Sequence, residues 1–313
     1  MTELLPANIT SSVFLRRDAL AAGMSHATIA AAVREGDWVR LRHGAYVAGD
    51  VFQRANVEER HALLARAVVL QSQTDVVLSH LSAVPEYGGP LWGVPTNEVH
   101  LTRLDQRAGR KEAGVRQHQG RLEPGDVIMQ NGVAVTSATR TLIDVTTCAH
   151  VEAALVIAND LLHRRLTTLV QVQHRYSSMQ NHPFTLRTDL VCRLADRRIE
   201  SVGETRTFFA CWRQGLPAPE PQWVVHDEQD HEFARLDFAW PEYKVWLEFD
   251  GREKYTKFRR EGESVIDAVL REKQRESKVA ELTGWRCIRI TWDDLADPVR
   301  LAARIAAVLR RVA

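Results

Sequence analysis

The sequence predicts a multi-domain α/β protein, and three observations carry that prediction. Helical and strand-like segments alternate from end to end, an order that lays helices on sheets. The 313 residues exceed what one hydrophobic core comfortably holds and suit two or three domains. The polar stretch "YSSMQNHPFT" (176–185) interrupts the pattern and reads as a linker. Three blocks follow from this: 1–50, 51–180 and 186–313.

In the first block, "FLRRDALAAG" reads as a short helix stopped by Gly23. In "SHATIAAAVREG", Ser25 is placed to cap a second helix. Ile29, Ala32 and Val33 fall on one of its faces, and Gly36 ends it. "WVRLRHGAYV" gives two short strands around a turn at His43-Gly44. Helix, turn, helix and β-ribbon is the order of a winged helix-turn-helix. In that motif the start of the second helix faces base edges, and the wing meets the backbone. Ser25, His26 and Thr28 are therefore the expected groove residues, and Arg16, Arg17, Arg34, Arg40, Arg42 and His43 the expected phosphate contacts. Residues 1–50 hold five basic and five acidic side chains, so binding must rest on their arrangement rather than on bulk charge.

The middle block mixes helices ("ERHALLARAVVL", "TRTLIDVTTC", "VEAALVIANDLLHRR") with strands ("TDVVLSH", "NEVHLT", "GVRQHQG"). "DVIMQNGVAVTS" is a hairpin turning at Asn131-Gly132. His80, His100 and His118 fall in separate strand-like segments with apolar neighbours, where structural hydrogen bonding is the expected role rather than metal binding.

The third block reads helix ("DLVCRLADRR"), helix ("GETRTFFACWRQG"), three strands ("PQWVVHD", "FARLDFAW", "KVWLEFDG"), a long charged helix, a strand ("WRCIRITW") and a closing helix. Within "VWLEFDG" alternation puts Trp246, Glu248 and Asp250 on one face and Val245, Leu247 and Phe249 on the other. A four-residue loop, Pro241 to Lys244, pairs Trp240 with Val245 and sets Asp237 opposite Glu248, about 5 Å away. A three-residue loop breaks that register. Glu204, on the preceding helix, is in reach of the same patch. Two carboxylates about 4 Å apart repel by about 4 kcal/mol at an effective dielectric near 20. The cluster therefore calls for protons, arginines or a divalent cation. A site of oxygen ligands alone suits Mg²⁺ or Mn²⁺, and such an ion suits phosphodiester hydrolysis.

"GE" on a helix, then "LDFAW", then "LEFDG", with "GREKY" and "REKQRES…LTGWRCIRITWDDL" beyond, resembles the PD-(D/E)XK nucleases in the branch near the very-short-patch-repair endonucleases. The resemblance covers about 110 residues and implies a restriction-endonuclease-like α/β domain. It implies Asp237 and Glu248 as metal ligands, and Glu204, Asp237, Glu248, Asp250 and Lys254 as the catalytic set of a Mg²⁺- or Mn²⁺-dependent DNA endonuclease. The family's lysine, two positions after Glu248, is here Asp250; Lys254 is the first candidate to replace it and Lys273 the second. That departure leaves open an inert nuclease-like fold that only holds DNA.

"LRRDALAAGMSHATIAAAVREGDWVRLRHGAYV", with "VVLSHLSAVPEYGG", "NEVHLTR" and "TSATRTLIDV" after it, resembles AbiEi-type antitoxins over roughly residues 10–170. The resemblance implies binding to double-stranded DNA, autorepression and a cognate nucleotidyltransferase-type toxin as partner. It implies no enzyme, and a typical antitoxin of this kind lacks the third block. The function expected first is metal-dependent DNA hydrolysis; the alternative is an antitoxin or repressor whose nuclease-like domain is inactive.

Bulk properties limit the rest. A composition of 45% hydrophobic and 26% charged residues, with a formal net charge of +1, is that of a soluble globular protein and not of a polycation. No apolar run reaches membrane-span length, and "MTELLPANIT" does not read as a secretory signal. Four scattered cysteines point away from zinc and disulfides. A cytoplasmic protein is expected.

Overall fold

The computed structural model describes residues 13–105, 107, 109–179, 185–251 and 264–312. The chain divides into two compact units, Met1–Ala195 and Asp196–Ala313.

The first unit opens with β1 (Phe14–Leu15), α1 (Arg16–Ala21), α2 (His26–Glu35), β2 (Trp38–Arg42) and β3 (Ala45–Ala48), in a three-stranded sheet of order β1-β3-β2. Ser25 caps α2 by accepting the Thr28 N–H at 3.1 Å, and Gly36 ends it in the left-handed region. Ile29 is the buried residue of α2; with Ala19 and Tyr46 it forms a small core that Phe14, Leu20, Met24, Val33 and Trp38 complete. Phe14 and Leu15 are strand rather than the start of a helix, because they pair antiparallel with Tyr46 and Ala45.

Two helices, α3 (Gly49–Arg54) and α4 (Val57–Gln71), follow. An Asn56–Glu59 capping box starts α4, satisfying two of its free N–H groups. Leu63 of α4 packs with Val47, Val51 and Ala55 in one cluster, and Ala67 packs with Leu15 and Ala45 in another. One face of α4 thus closes the core of the winged sheet. On its other side, Arg66 donates to Glu86 at 2.7 Å, and His61 Nε2 lies 2.8 Å from Ser82 Oγ.

The six-stranded sheet consists of β4 (Val76–Leu78), β5 (Val99–Arg103), β6 (Lys111–Glu112), β7 (Val115–His118), β8 (Val127–Gln130) and β9 (Val133–Thr136), in the order β6-β7-β5-β4-β9-β8. The β8–β9 hairpin turns at Asn131 (φ 48°) and Gly132 (φ 79°), the two positive φ values of the favoured two-residue turn. Helices α5 (Ala138–Cys148), α6 (Val151–His163), α7 (Leu169–Ser177) and α8 (Leu186–Leu194) complete the unit.

The second unit runs α9 (Val202–Arg213), β10 (Glu220–His226), β11 (Glu232–Trp240), β12 (Val245–Phe249), α10 (Val265–Thr283), β13 (Arg286–Ile290) and α11 (Pro298–Val312). The strand order is β10-β11-β12-β13, antiparallel except for the parallel β12–β13 pair that α10 connects. The four-residue connection is present: Trp240 pairs with Val245 and Phe238 with Leu247, and Lys244 takes the left-handed conformation (φ 50°). Val245, Leu247 and Phe249 enter a core with Ile305 and Leu309, whereas Trp246 packs with Ala239 and Val279. Both faces of β12 are therefore covered, and its alternation is between two cores. Gly203 makes the seating of α9 possible: a β-carbon there meets the Phe249 ring at 2.1 Å.

Candidate functional site

Two surfaces gather the residues singled out in the sequence. The first is the start of α2. Ser25, His26 and Thr28 are exposed, and the Ser25 and Thr28 hydroxyls lie 2.9 Å apart. Arg16 joins them: its guanidinium donates to His26 Nδ1 at 2.9 Å, and its backbone N–H donates to Gly44 O at 2.8 Å. Arg40 and His43 are exposed on the β2–β3 hairpin, with Arg42 half-buried at its end. His43 O accepts from Gln71 at 2.7 Å, which ties the wing tip to α4. Arg17 turns elsewhere: it approaches Leu70 O at 3.4 Å and Asp18 at 3.7 Å. Arg34 occupies the last turn of α2 beside Glu35 (3.6 Å), away from the cluster around Ser25.

The second surface is the acidic cluster of the second unit, built at a break in the sheet. The β11–β12 ladder stops at Phe238–Leu247, and the next positions in that register are Asp237 and Glu248. Asp237 Oδ2 instead accepts the Phe249 N–H at 2.8 Å. On the other side of β11 the register passes from Trp223–Leu236 to Pro221–Phe238, and Gln222, between them, has φ 54°. Gln222 Nε2 donates to Glu204 Oε2 at 3.2 Å. Glu204 is 6% exposed; it also accepts from the Glu200 N–H (3.0 Å) and from Ser201 Oγ (2.7 Å). Burial, and then the Asp237 charge, push the Glu204 carboxyl up to about 7.

Arginines enter the same cluster. Glu248, 3% exposed, accepts from Arg275 of α10 at 3.1 Å, and Arg275 also bonds Glu272 at 2.7 Å. Arg289 pairs in register with Glu248 on the parallel strand. Its guanidinium bonds Glu276 at 2.8 Å and lies 3.5 Å from Asp250. Lys254 lies outside the described residues, and Lys273 has no described bond to the acids. Among the described residues, no three His, Cys, Asp or Glu groups gather as a metal site would require. In charge the acids fit a divalent cation, but Glu248 would have to exchange Arg275 for it. Arg275, Gln222 and Ser201 were not singled out in the sequence. The one signal was for Arg275: its spacing of three from Glu272, which also describes an ordinary surface helix pair.

The three histidines of the middle block do come together. His80 stacks on His118 with ring centroids 3.6 Å apart, and His100 Nδ1 lies 3.0 Å from His118 Nε2. Burial holds His100 down to about 4 and His118 to about 3. Both are neutral at physiological pH, as hydrogen-bonded core groups are.

No helix among the described residues is long and apolar enough to cross a membrane. Two curated relatives, uncharacterized proteins MT2308 of Mycobacterium tuberculosis (strain CDC 1551 / Oshkosh) and Rv2248 of Mycobacterium tuberculosis (strain ATCC 25618 / H37Rv), are each 28% identical over 286 residues. That covers 89% of this chain and 95% of theirs. Residues 6–49, which include the helix pair and the wing, match the family described as "Transcriptional regulator, AbiEi antitoxin", so the chain carries an AbiEi-type regulator domain at its N-terminal end.

Proposed function

We propose that this protein is a double-stranded-DNA-binding transcription regulator of the antitoxin type, which uses the start of α2 to enter the major groove and the β2–β3 wing to hold phosphates. The observation that carries the reading is the exposed Ser25–His26–Thr28 face, with Arg16 drawn onto it and Arg40 and His43 presented beside it. A helix N-terminus with small polar residues meets base edges, while wing arginines add salt-dependent, sequence-independent affinity. The antitoxin description of the matched residues supports a cognate toxin as partner and, with it, action in the cytoplasm. The expected result is duplex binding by the wild type that weakens steeply with salt. In Arg40→Ala/Arg42→Ala the slope of log K against log salt should fall by about 2. Fluorescence anisotropy over a salt series measures it, and an unchanged slope removes the wing from the interface.

A second reading is supported by one observation, the acidic cluster in which buried Glu204, held by Ser201 and Gln222, has its carboxyl raised first by burial and then by the charge of half-buried Asp237. Under it the second unit is a restriction-endonuclease-like domain, and Mg²⁺ or Mn²⁺ held by Asp237 and Glu248 would polarise a DNA phosphate. Here Glu204 and Asp250 would complete the acidic site, with Lys254 as the cationic group. Wild-type protein incubated with labelled duplex and Mg²⁺ or Mn²⁺ should then cut it, and Glu248→Ala should bind but not cut. Binding without cutting by the wild type retires this reading and leaves the regulator.

A further inference from the structure

We propose that Arg16 and His26 act as one donor-only element that selects guanine in the major groove; this rests on the DNA-binding reading above and names the base read by that same face.

Arginine carries five N–H donors and no acceptor. In the Arg16–His26 contact, 2.9 Å long, His26 Nδ1 must therefore be the acceptor. An imidazole that accepts at Nδ1 holds its proton on Nε2. The free end of His26 then offers a single N–H donor, and the remaining guanidinium hydrogens beside it are donors as well. Left to itself, a histidine exchanges donor and acceptor between its two nitrogens and does not discriminate among bases so simply.

The pair is held in place from three directions. The Arg16 backbone N–H is fixed to the wing turn through Gly44 O at 2.8 Å. Its Nε is buried, so that side of the guanidinium is covered. His26 is the first residue of α2, directly after the Ser25 cap. The element therefore spans α1, the wing and the start of α2, and it is exposed at His26.

Only one base offers two adjacent acceptors and no donor in the major groove: guanine, with N7 and O6. Adenine sets an amino donor beside its N7, cytosine presents an amino donor, and thymine a single acceptor beside a methyl group. Two neighbouring donors on the protein match guanine and meet a like group on adenine or cytosine. Ser25 and Thr28 do not supply this preference, because a hydroxyl both donates and accepts.

The test is selection of bound duplexes from a randomised pool by the full chain, followed by anisotropy on the selected site. Wild type should enrich a site with an invariant guanine. Replacing that base by 7-deazaguanine, which lacks the N7 acceptor, should weaken binding roughly tenfold. His26→Ala is compatible with the fold, since His26 is exposed and alanine is the best helix former. It should lose the guanine from its selected site and bind that site and its guanine-substituted form equally. In Arg16→Ala the same position should relax, and ¹⁵N–¹H correlation spectra should show His26 Nδ1 gaining protonated character. The same invariant guanine in wild type, His26→Ala and Arg16→Ala overturns the proposal and leaves DNA binding standing. So does a selected site without guanine. Absence of any duplex binding by the wild type overturns both.

Discussion

Replacing Arg140 by methionine is expected to cost about 3–5 kcal/mol of the first unit's stability, the cost of leaving a buried carboxylate without its cation. The Arg140 side chain is 1% exposed and serves three acceptors: Asp144 at 2.7 Å, Asp126 at 3.0 Å and the Arg121 carbonyl at 2.8 Å. Asp126 retains Arg175, which bonds it at 2.6 Å. Among the described residues Asp144 keeps only His80, whose Nδ1 lies 3.9 Å from Asp144 Oδ2; the carboxyl is fully buried, and Oδ2 has no hydrogen bond even in the wild type. Burial already pushes Asp144 up to about 6 against the pull of Arg140. Without the arginine, the carboxyl must take up a proton to stay inside. The loss should therefore shrink as pH falls, and Arg140→Met/Asp144→Leu should recover much of it. Calorimetry should show the first unit's melting temperature falling on the order of 10 °C; a drop of a degree or two shows that the network is dispensable.

The second large effect concerns Glu204 and has the opposite sign. Its ordinary carboxyl pKa of 4.5 is raised to about 7, by burial first and by Asp237 second. A raised pKa means that the folded protein binds the extra proton. The stabilisation is complete below pH 4.5 and is lost as pH rises through 7. The difference corresponds to on the order of 3 kcal/mol. Glu204→Gln keeps the shape and cannot ionise. Its second unit should match the wild type near pH 4.5 and exceed it in stability at pH 8. Urea unfolding at both pH values measures this. A wild type that is equally stable relative to the variant at both pH values would sink the assignment of a strained carboxylate pair.

Local physics made most of the fold readable. Ser25 and Gly36 marked the ends of α2 because a side-chain oxygen caps a helix start and a left-handed residue ends one. Asn131-Gly132 marked the β8–β9 turn because both residues tolerate positive φ. The pairing of Trp240 with Val245 was readable only on the condition of a four-residue loop, which the chain has. Helices α3 and α7 were missed: α3 has six residues, and the end of α7 at Tyr176 and Ser177 falls in the polar stretch expected as a linker. At the acidic cluster, Asp237, Glu248 and Asp250 were readable from the strands and Glu204 from its helix, but Arg275 was not. Arg275 reaches Glu248 across 27 residues of sequence, and nothing in a one-dimensional pattern encodes that crossing. The histidine stack escaped for the same reason: β5 and β7 contribute one ring each, and the turn after β4 contributes the third.

The position of α4 determines how this protein can be dissected. Leu63 and Ala67 supply part of the floor of the winged sheet, while Arg66 and His61 on the same helix are bonded into the neighbouring sheet. A recombinant fragment that stops at residue 50 would carry an open core, and one that stops at 71 would carry a severed ion pair. The winged segment is thus not a bead on a string that gene fusion can move intact. It shares a wall with its neighbour, and a shared wall makes the two rooms one building.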